Sequence, residues 1–363
     1  VTAPGTTVCI PAWNATGFLA QTLSAVLRQD VPGMRVLVSV DGADGATEAA
    51  CAPFLDDPRV ACVVQPARLG WVGNTNALIA AVETEFFAIM PHDDLPEPGW
   101  LVALHGALAA HPAAVGAYAD LDGFGTQQNS FAQPEIVGSS LRRRLVTLLD
   151  HYNCVPYRGL YRLREGQPRP LLPAGLPGDV AADTAWLMEL ACQGELRRVP
   201  QVLVRKRYHA GNTHGAWGSL ALDVRLASGV AVLRRMHDRA VLGTPPRAAR
   251  LVTVAALLRL LDCARPWPPL RGVPLPDRLA AWHEGVGSGA EALPGAQAVL
   301  EGGGAVPVRR RLANPVVAER LAGLAAELRG TVGAEALLAL ADLAAAVAAA
   351  RDGQGIMRST GSA

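Results

Sequence analysis

Lysine is almost missing from this chain: Lys206 stands alone, and arginine supplies the rest of the positive charge. That reads mainly as codon bias, although arginine also carries a planar fork suited to phosphate recognition. The 33 basic and 32 acidic side chains leave a formal net charge of +1, so no global field points to nucleic acid or an anionic membrane. Cysteine is sparse and unpatterned. Cys9, Cys51, Cys62, Cys154, Cys192 and Cys263 include no C-x-x-C pair, and several lie in apolar runs. They read as buried free thiols in a reducing compartment rather than disulfides or zinc ligands. No segment supplies the roughly 20 uninterrupted apolar residues of a membrane span. The Ala-rich stretch at 336–350 comes nearest, but Asp342 interrupts it. The apolar run Val8 to Ile10 is too short for a secretory signal. These absences predict a cytoplasmic protein without a nucleic-acid partner; peripheral membrane contact stays open.

What is present is a core. Half of the 363 residues are hydrophobic, enough for two domains or one large domain with an appendage. The first 120 residues alternate strand and helix signals. Strands are predicted at Thr7–Ile10, Met34–Val40, Val60–Val64, Phe86–Met90 and Val115–Ala119. Helices are predicted at Gly17–Gln29, with Thr16 as N-cap, at Asn74–Val82 and at Pro98–Ala110. This order implies right-handed βαβ units and a mostly parallel sheet. Residues 121–180 are irregular, with a basic helix at Ser140–Asp150, followed by a helix over Gly178–Gly194 and a strand over Val199–Arg207. Beyond residue 218 the chain turns helical and rich in Ala, Leu and Arg, with segments at 219–242, 246–264, 276–284, 316–329 and 334–351. The expected division is an α/β domain over residues 1–218 and an all-α appendage over 219–363.

In open parallel sheets, ligands bind beyond the carboxyl ends of the strands. Those ends carry Pro11-Ala12-Trp13-Asn14, Asp41-Gly42-Ala43-Asp44, Arg68-Leu69-Gly70 and His92-Asp93-Asp94. Adjacent carboxylates repel unless a cation neutralises them. A hard divalent ion takes oxygen ligands and keeps phosphate oxygens in its shell. Asp41 could accept a hydrogen bond from a base N–H, and Gly42 permits a tight turn there. Asp183 lies near a helix start, where it either caps the helix or serves as a general base. Arg205-Lys206-Arg207-Tyr208-His209 could face phosphates, with His209 available to a metal; a solvated edge strand is the plainer reading.

The order of these elements resembles family 2 glycosyltransferases of the GT-A fold, over roughly residues 6–215. Pro11-Ala12-Trp13-Asn14 stands for the family's Pro-x-Tyr-Asn, and Val40 to Ala43 for its Asp-Asp-Gly-Ser. Arg68 to Asn76 stands for the Gly turn with an Asn-rich helix, and Pro91 to Asp94 for Asp-x-Asp. Ala182-Asp183 stands for Glu-Asp, and Arg205 to His209 for the closing Arg-x-x-His. The resemblance implies a Rossmann-like GT-A domain and an inverting transfer from a nucleotide-sugar, a UDP-sugar by preference. It places Pro11, Ala12, Asn14, Asp41, Arg68, Asn76, His92 and Asp93 at the nucleotide. Asp93, Asp94 and His209 go to Mn²⁺ or Mg²⁺, and Asp183 becomes the base. Three departures stand out: Pro91 replaces the first Asp of Asp-x-Asp, Trp13 the Tyr, and Ala182 the Glu. The acceptor could be a carbohydrate, a lipid-linked saccharide or a protein, and self-association through the helical tail stays open. Two other readings compete: a degenerate module that binds without transferring, and a sugar-1-phosphate nucleotidyltransferase. The second is disfavoured because Trp13 and Asn14 stand where a Gly-rich basic loop would follow the first strand.

Overall fold

The computed structural model describes residues 3–149, 155–261, 267–274, 277–278 and 281–282. Strand and helix alternate through the first third: β1 (Ala3–Ala12), α1 (Leu19–Leu27), β2 (Met34–Val40), α2 (Gly45–Cys51), β3 (Val60–Val64), α3 (Gly70–Ala81), β4 (Thr84–Ile89), β5 (Leu95–Pro96) and α4 (Trp100–Ala110). Then follow β6 (Gly116–Gly125), β7 (Ser130–Phe131), α5 (Ser140–Leu149), β8 (Leu160–Arg162), α6 (Ala182–Gln193), β9 (Leu196–Tyr208), α7 (Thr213–Gly218), α8 (Leu222–Val241) and α9 (Pro246–Leu261). The chain divides into two compact units, residues 1–143 with 152–219 and residues 144–151 with 220–363, the division falling inside α5.

The first unit is a mixed α/β sheet with strand order β3-β2-β1-β4-β8-β6-β9-β5, β7 pairing with β6. β1 is central and runs parallel to β2 and β4, and β2 runs parallel to β3. Their carboxyl ends therefore share one edge. β8 enters antiparallel between β4 and β6, while β6 and β9 are parallel. Val8, Cys9 and Ile10 of β1 are completely buried, because helices cover both faces of a central parallel strand. β2 and β3 have the bounds expected from their β-branched runs.

α1 buries Leu19, Leu23 and Val26, spaced to form one stripe. It begins later than the apolar spacing suggested. Phe18 is the cap residue, without a side-chain cap bond, and the carbonyl of Ala15 accepts from Phe18 and Leu19 N–H. Thr16 is thus not the N-cap. The short elements α2, β5, β7 and β8 carry too little periodicity to be read from sequence; β5 and β7 span two residues each.

In the second unit, α8 buries Val230, Leu233, Met236 and Ala240, and α9 buries Val252, Ala256 and Leu260. Gly229 admits Leu270 so closely that a Cβ there would lie 2.7 Å from its Cδ2. Arg144 and Arg259 donate to the carbonyls of Ala240 and Leu148. Among the described residues this unit contains no strand. The helices expected at 316–329 and 334–351, and five of the nine residues of 276–284, lie outside the described residues. No described helix is long and apolar enough to cross a membrane. Cys9, Cys51, Cys62 and Cys192 are free thiols, and burial pushes Cys9 far above its ordinary range.

Candidate active site

Hydrogen bonds to the main-chain carbonyls of β1 tie the tips of β2, β1 and β4 into one ridge. Asp41 N–H donates to the Ala12 carbonyl at 2.9 Å, and His92 Nδ1 lies 3.1 Å from the Pro11 carbonyl. The carboxylate of Asp41 is buried and accepts Leu69 N–H at 2.6 Å; Arg68 Nε stands 4.0 Å from its other oxygen. The Arg68 guanidinium lies 3.5 Å from the ring centroid of Trp13, which is 44% exposed, so a cation–π pair flanks the Asp41 pocket. Gly42 turns with φ +84°, and a Cβ there would come within 3.2 Å of Arg68 N, so its bare Cα is what allows this approach.

Asn14 also adopts a left-handed conformation, φ +49°. It is held by Asp44, which accepts Asn14 N–H at 2.7 Å and caps α2 through Thr47 N–H at 3.1 Å. The Thr47 hydroxyl and these amides hold the Asp44 carboxyl below the usual range. The sequence places Asp44 at the tip of β2 without giving it a role, and Thr47 was missed, although the spacing Asp-x-x-Thr at a helix start was the available signal.

The neighbours Asp93 and Asp94 part company. Asp93 Oδ2 lies 3.0 Å from His209 Nε2 and accepts Asn212 Nδ2–H at 3.0 Å. Burial alone would raise its pKa; the charges of His92, His209 and Arg158 and the His209 hydrogen bond outweigh that and hold it below the usual range. Asp94 is fully buried. Its Oδ2 accepts Arg158 Nε–H at 2.5 Å and its Oδ1 accepts Arg207 N–H at 2.8 Å. Burial raises its pKa despite Arg158. Both Asp94 oxygens are spent inside the protein, so Asp94 is not placed to share an ion with Asp93.

Two of the three cations at the end of β9, Lys206 and Arg207, are covered by the fold. Arg207 Nε–H donates to the Asp93 carbonyl at 3.0 Å, and its Nη2–H to Gln21 at 2.7 Å. Its guanidinium sits between the rings of Phe18 and Phe124 at 4.6 and 4.5 Å. Lys206 is buried against the Tyr208 ring, and Arg205 reaches Glu97 at 3.8 Å. Arg207 thus backs Asp93, Lys206 is buried, and Arg205 stays exposed. Arg158, Asn212 and Gln21 carried no sequence signal, since only tertiary folding brings them to Asp93.

Asn76 is likewise committed elsewhere. Its amide donates to the Leu172 carbonyl at 2.9 Å and accepts Leu172 N–H at 2.7 Å, which anchors the loop before α6. Asp183 lies in the first turn of α6, half-buried, and its Oδ1 accepts Thr184 N–H at 2.9 Å. The turn leading into it is strained: Gly178, Asp179 and Ala181 have φ +62°, +52° and +53°. Non-glycine residues in this region cost energy and cluster at functional sites. Asp179 is half-buried, which raises its pKa, and its Oδ2 lies 3.7 Å from where a Cβ on Gly70 would stand. Among the described residues, no three His, Cys, Asp or Glu side chains form a metal-holding group.

Residues 7–163 match the model of Glycosyl transferase family 2, the family that the strand-tip motifs resemble. An uncharacterized glycosyltransferase of Haemophilus influenzae is 23% identical over 121 residues, 32% of this chain and 38% of its own length. The match therefore spans well under half of that relative. The crystal structure of S. aureus TarS 1–349 aligns with 97% of this chain and 93% of its own, with 16% identity and a TM-score of 0.60. The same protein in complex with UDP-GlcNAc aligns over the same shares with a TM-score of 0.62. At this identity the likeness establishes the fold, a GT-A-like α/β sheet.

Proposed function

We propose, from the family 2 match over residues 7–163, that the protein is a glycosyltransferase that moves a sugar from a nucleotide-sugar to an acceptor hydroxyl with inversion. The observation that carries this reading is the ridge joining Asp41, Pro11, His92 and Asp93 at the carboxyl ends of adjacent parallel strands. Asp41 and the Trp13–Arg68 pair take the base, and Asn14 and His92 line the path to the diphosphate. UDP is the preferred nucleotide, since a UDP-sugar is what a structural neighbour carries.

Asp93 fits a divalent ion. Its pKa is held below the usual carboxylate range, and His209 lies at the same oxygen. Mg²⁺ and Mn²⁺ sites of this kind need one or two protein ligands and fill the rest of the shell with phosphate oxygens and water. Such an ion neutralises the departing diphosphate. Gly211 N–H donates to His209 Nδ1 at 3.2 Å, which turns His209 Nε2 toward Asp93. Asp93 is the firmer ligand, and His209 orients it. Asp94, clamped by Arg158 and Arg207, fixes the Asp93 backbone. Asp183 accepts the proton of the acceptor hydroxyl.

Titration calorimetry with UDP, with and without Mn²⁺, tests this reading on the wild type and on Asp93→Ala. The expected outcome is metal-enhanced UDP binding that loses its enhancement in the variant. Absence of UDP and GDP binding under both conditions rejects the nucleotide reading. Equal loss with and without Mn²⁺ rejects Asp93 as the ligand.

A further inference from the structure

A row of aromatic rings runs through the first unit from α6 toward α7. Trp186, one turn beyond Asp183, meets Tyr157 at 6.2 Å between centroids. Tyr157 meets Trp71 at 6.1 Å, and Trp71 meets Trp217 at 6.2 Å with planes inclined at 46°. The inner two are fixed parts of the core: Trp186 donates Nε1–H to the Pro170 carbonyl, and the Tyr157 hydroxyl bonds Thr75 at 2.9 Å. The outer two are only partly covered. Trp71 follows Gly70 at the start of α3, beside Asp179 on its strained turn. Trp217 lies in α7, just beyond Asn212, which holds Asp93. The row thus joins the helix of the proposed base to the Asp93 side of the cleft.

We propose that Trp71 and Trp217 form the platform for the acceptor, that the acceptor presents a pyranose ring, and that Asp179 accepts hydrogen bonds from its hydroxyls. This rests on the glycosyltransferase reading, since it uses Asp183 to say which side the acceptor enters. The chemistry is specific to sugars. One face of a pyranose exposes C–H groups that pack on an aromatic ring, while its edge carries hydroxyls that need acceptors. The Asp179 carboxylate, on a residue at φ +52°, lies against Gly70, the residue before Trp71, so a carboxylate and an indole meet at the start of the same helix. A bare alkyl chain would use the rings and leave Asp179 without a role.

Saturation-transfer NMR on the full chain with saturating UDP tests this, with methyl β-D-glucopyranoside, methyl β-D-galactopyranoside and methyl N-acetyl-β-D-glucosaminide as probes. At least one probe should receive saturation at its ring C–H protons. Trp217→Ala and Asp179→Asn should each weaken its binding roughly five- to tenfold, the worth of one aromatic contact or one good hydrogen bond. Trp71→Phe should retain most of it, and UDP affinity should change less than twofold. Asparagine tolerates a left-handed backbone and Trp217 sits in a short helix, so both variants should keep the wild-type melting temperature. Saturation unchanged in both variants overturns the proposal, as does silence from all three probes on a chain that binds UDP. A chain that fails to bind UDP but binds a pyranoside through Trp217 sinks the donor reading and keeps the sugar platform.

Discussion

The parallel strands β1 to β4 and the later strands β6, β8 and β9 share one sheet, yet they fix their polar groups by different means. At the tips of β1 and β2, each group is held by a residue of the same or the next βα unit. Asp44 caps α2 and grips Asn14, and Asp41 takes Leu69 N–H. Around β9 the partners are remote: Arg158 reaches Asp94 across 64 positions and Arg207 N–H reaches it across 113. The tips of β1 and β2 are held by local turn chemistry, whereas the region around β9 depends on long-range ion pairing in a dry interior. Such a region tolerates less, because a buried charge that loses its partner has no water to turn to.

Perturbing each region should expose that difference. The largest expected effect is on transfer. Asp183→Asn should lower turnover by about 10²–10⁴-fold with UDP affinity unchanged. Asp179→Asn should keep most of the turnover at saturating acceptor, and steady-state kinetics of the two variants side by side decides which carboxylate is the base. Next comes stability. Arg158→Ala should cost about 3–5 kcal/mol in chemical denaturation, because it strands the Asp94 carboxylate. A loss below about 1 kcal/mol would show that Asp94 is solvated or protonated in the native state, and the contrast between the regions would fail. Asn76→Ala should cost about 1–3 kcal/mol by releasing both polar groups of Leu172, with no change in UDP affinity by calorimetry. A selective loss of UDP binding would return Asn76 to the nucleotide.

The smallest effect belongs to the local side. Asp44→Ala should cost about 0.5–2 kcal/mol at neutral pH. The sign of its pH dependence follows from its lowered pKa. The Asp44 contribution is complete above the ordinary carboxylate range and is lost as pH falls through the depressed native value. The stability gap between wild type and Asp44→Ala, followed by denaturation from pH 7 downward, should therefore close in acid. A gap that persists below that native value would mean that the Asp44 charge is not what holds the turn.

Much of the first unit was legible in advance. Met34–Val40 and Val60–Val64 are short β-branched runs bounded by turn residues, and they are strands with those limits. The helix after Arg68 was foreseen from Asn74 but begins at Gly70, since glycine hid its first turn. The candidate site was legible as a set of strand tips. Asp93 and Asp94 could not be told apart, because two adjacent carboxylates look alike until Arg158 is known to face one of them.

By itself the sequence determined which residues stand at the ends of the parallel strands, because strand periodicity and turn chemistry act over a few positions. Tertiary structure alone decided which carboxylate is spent on the scaffold, which way the arginines point and which rings stay partly open. Burial and ion pairing are properties of what surrounds a side chain, and those surroundings arrive from distant parts of the chain.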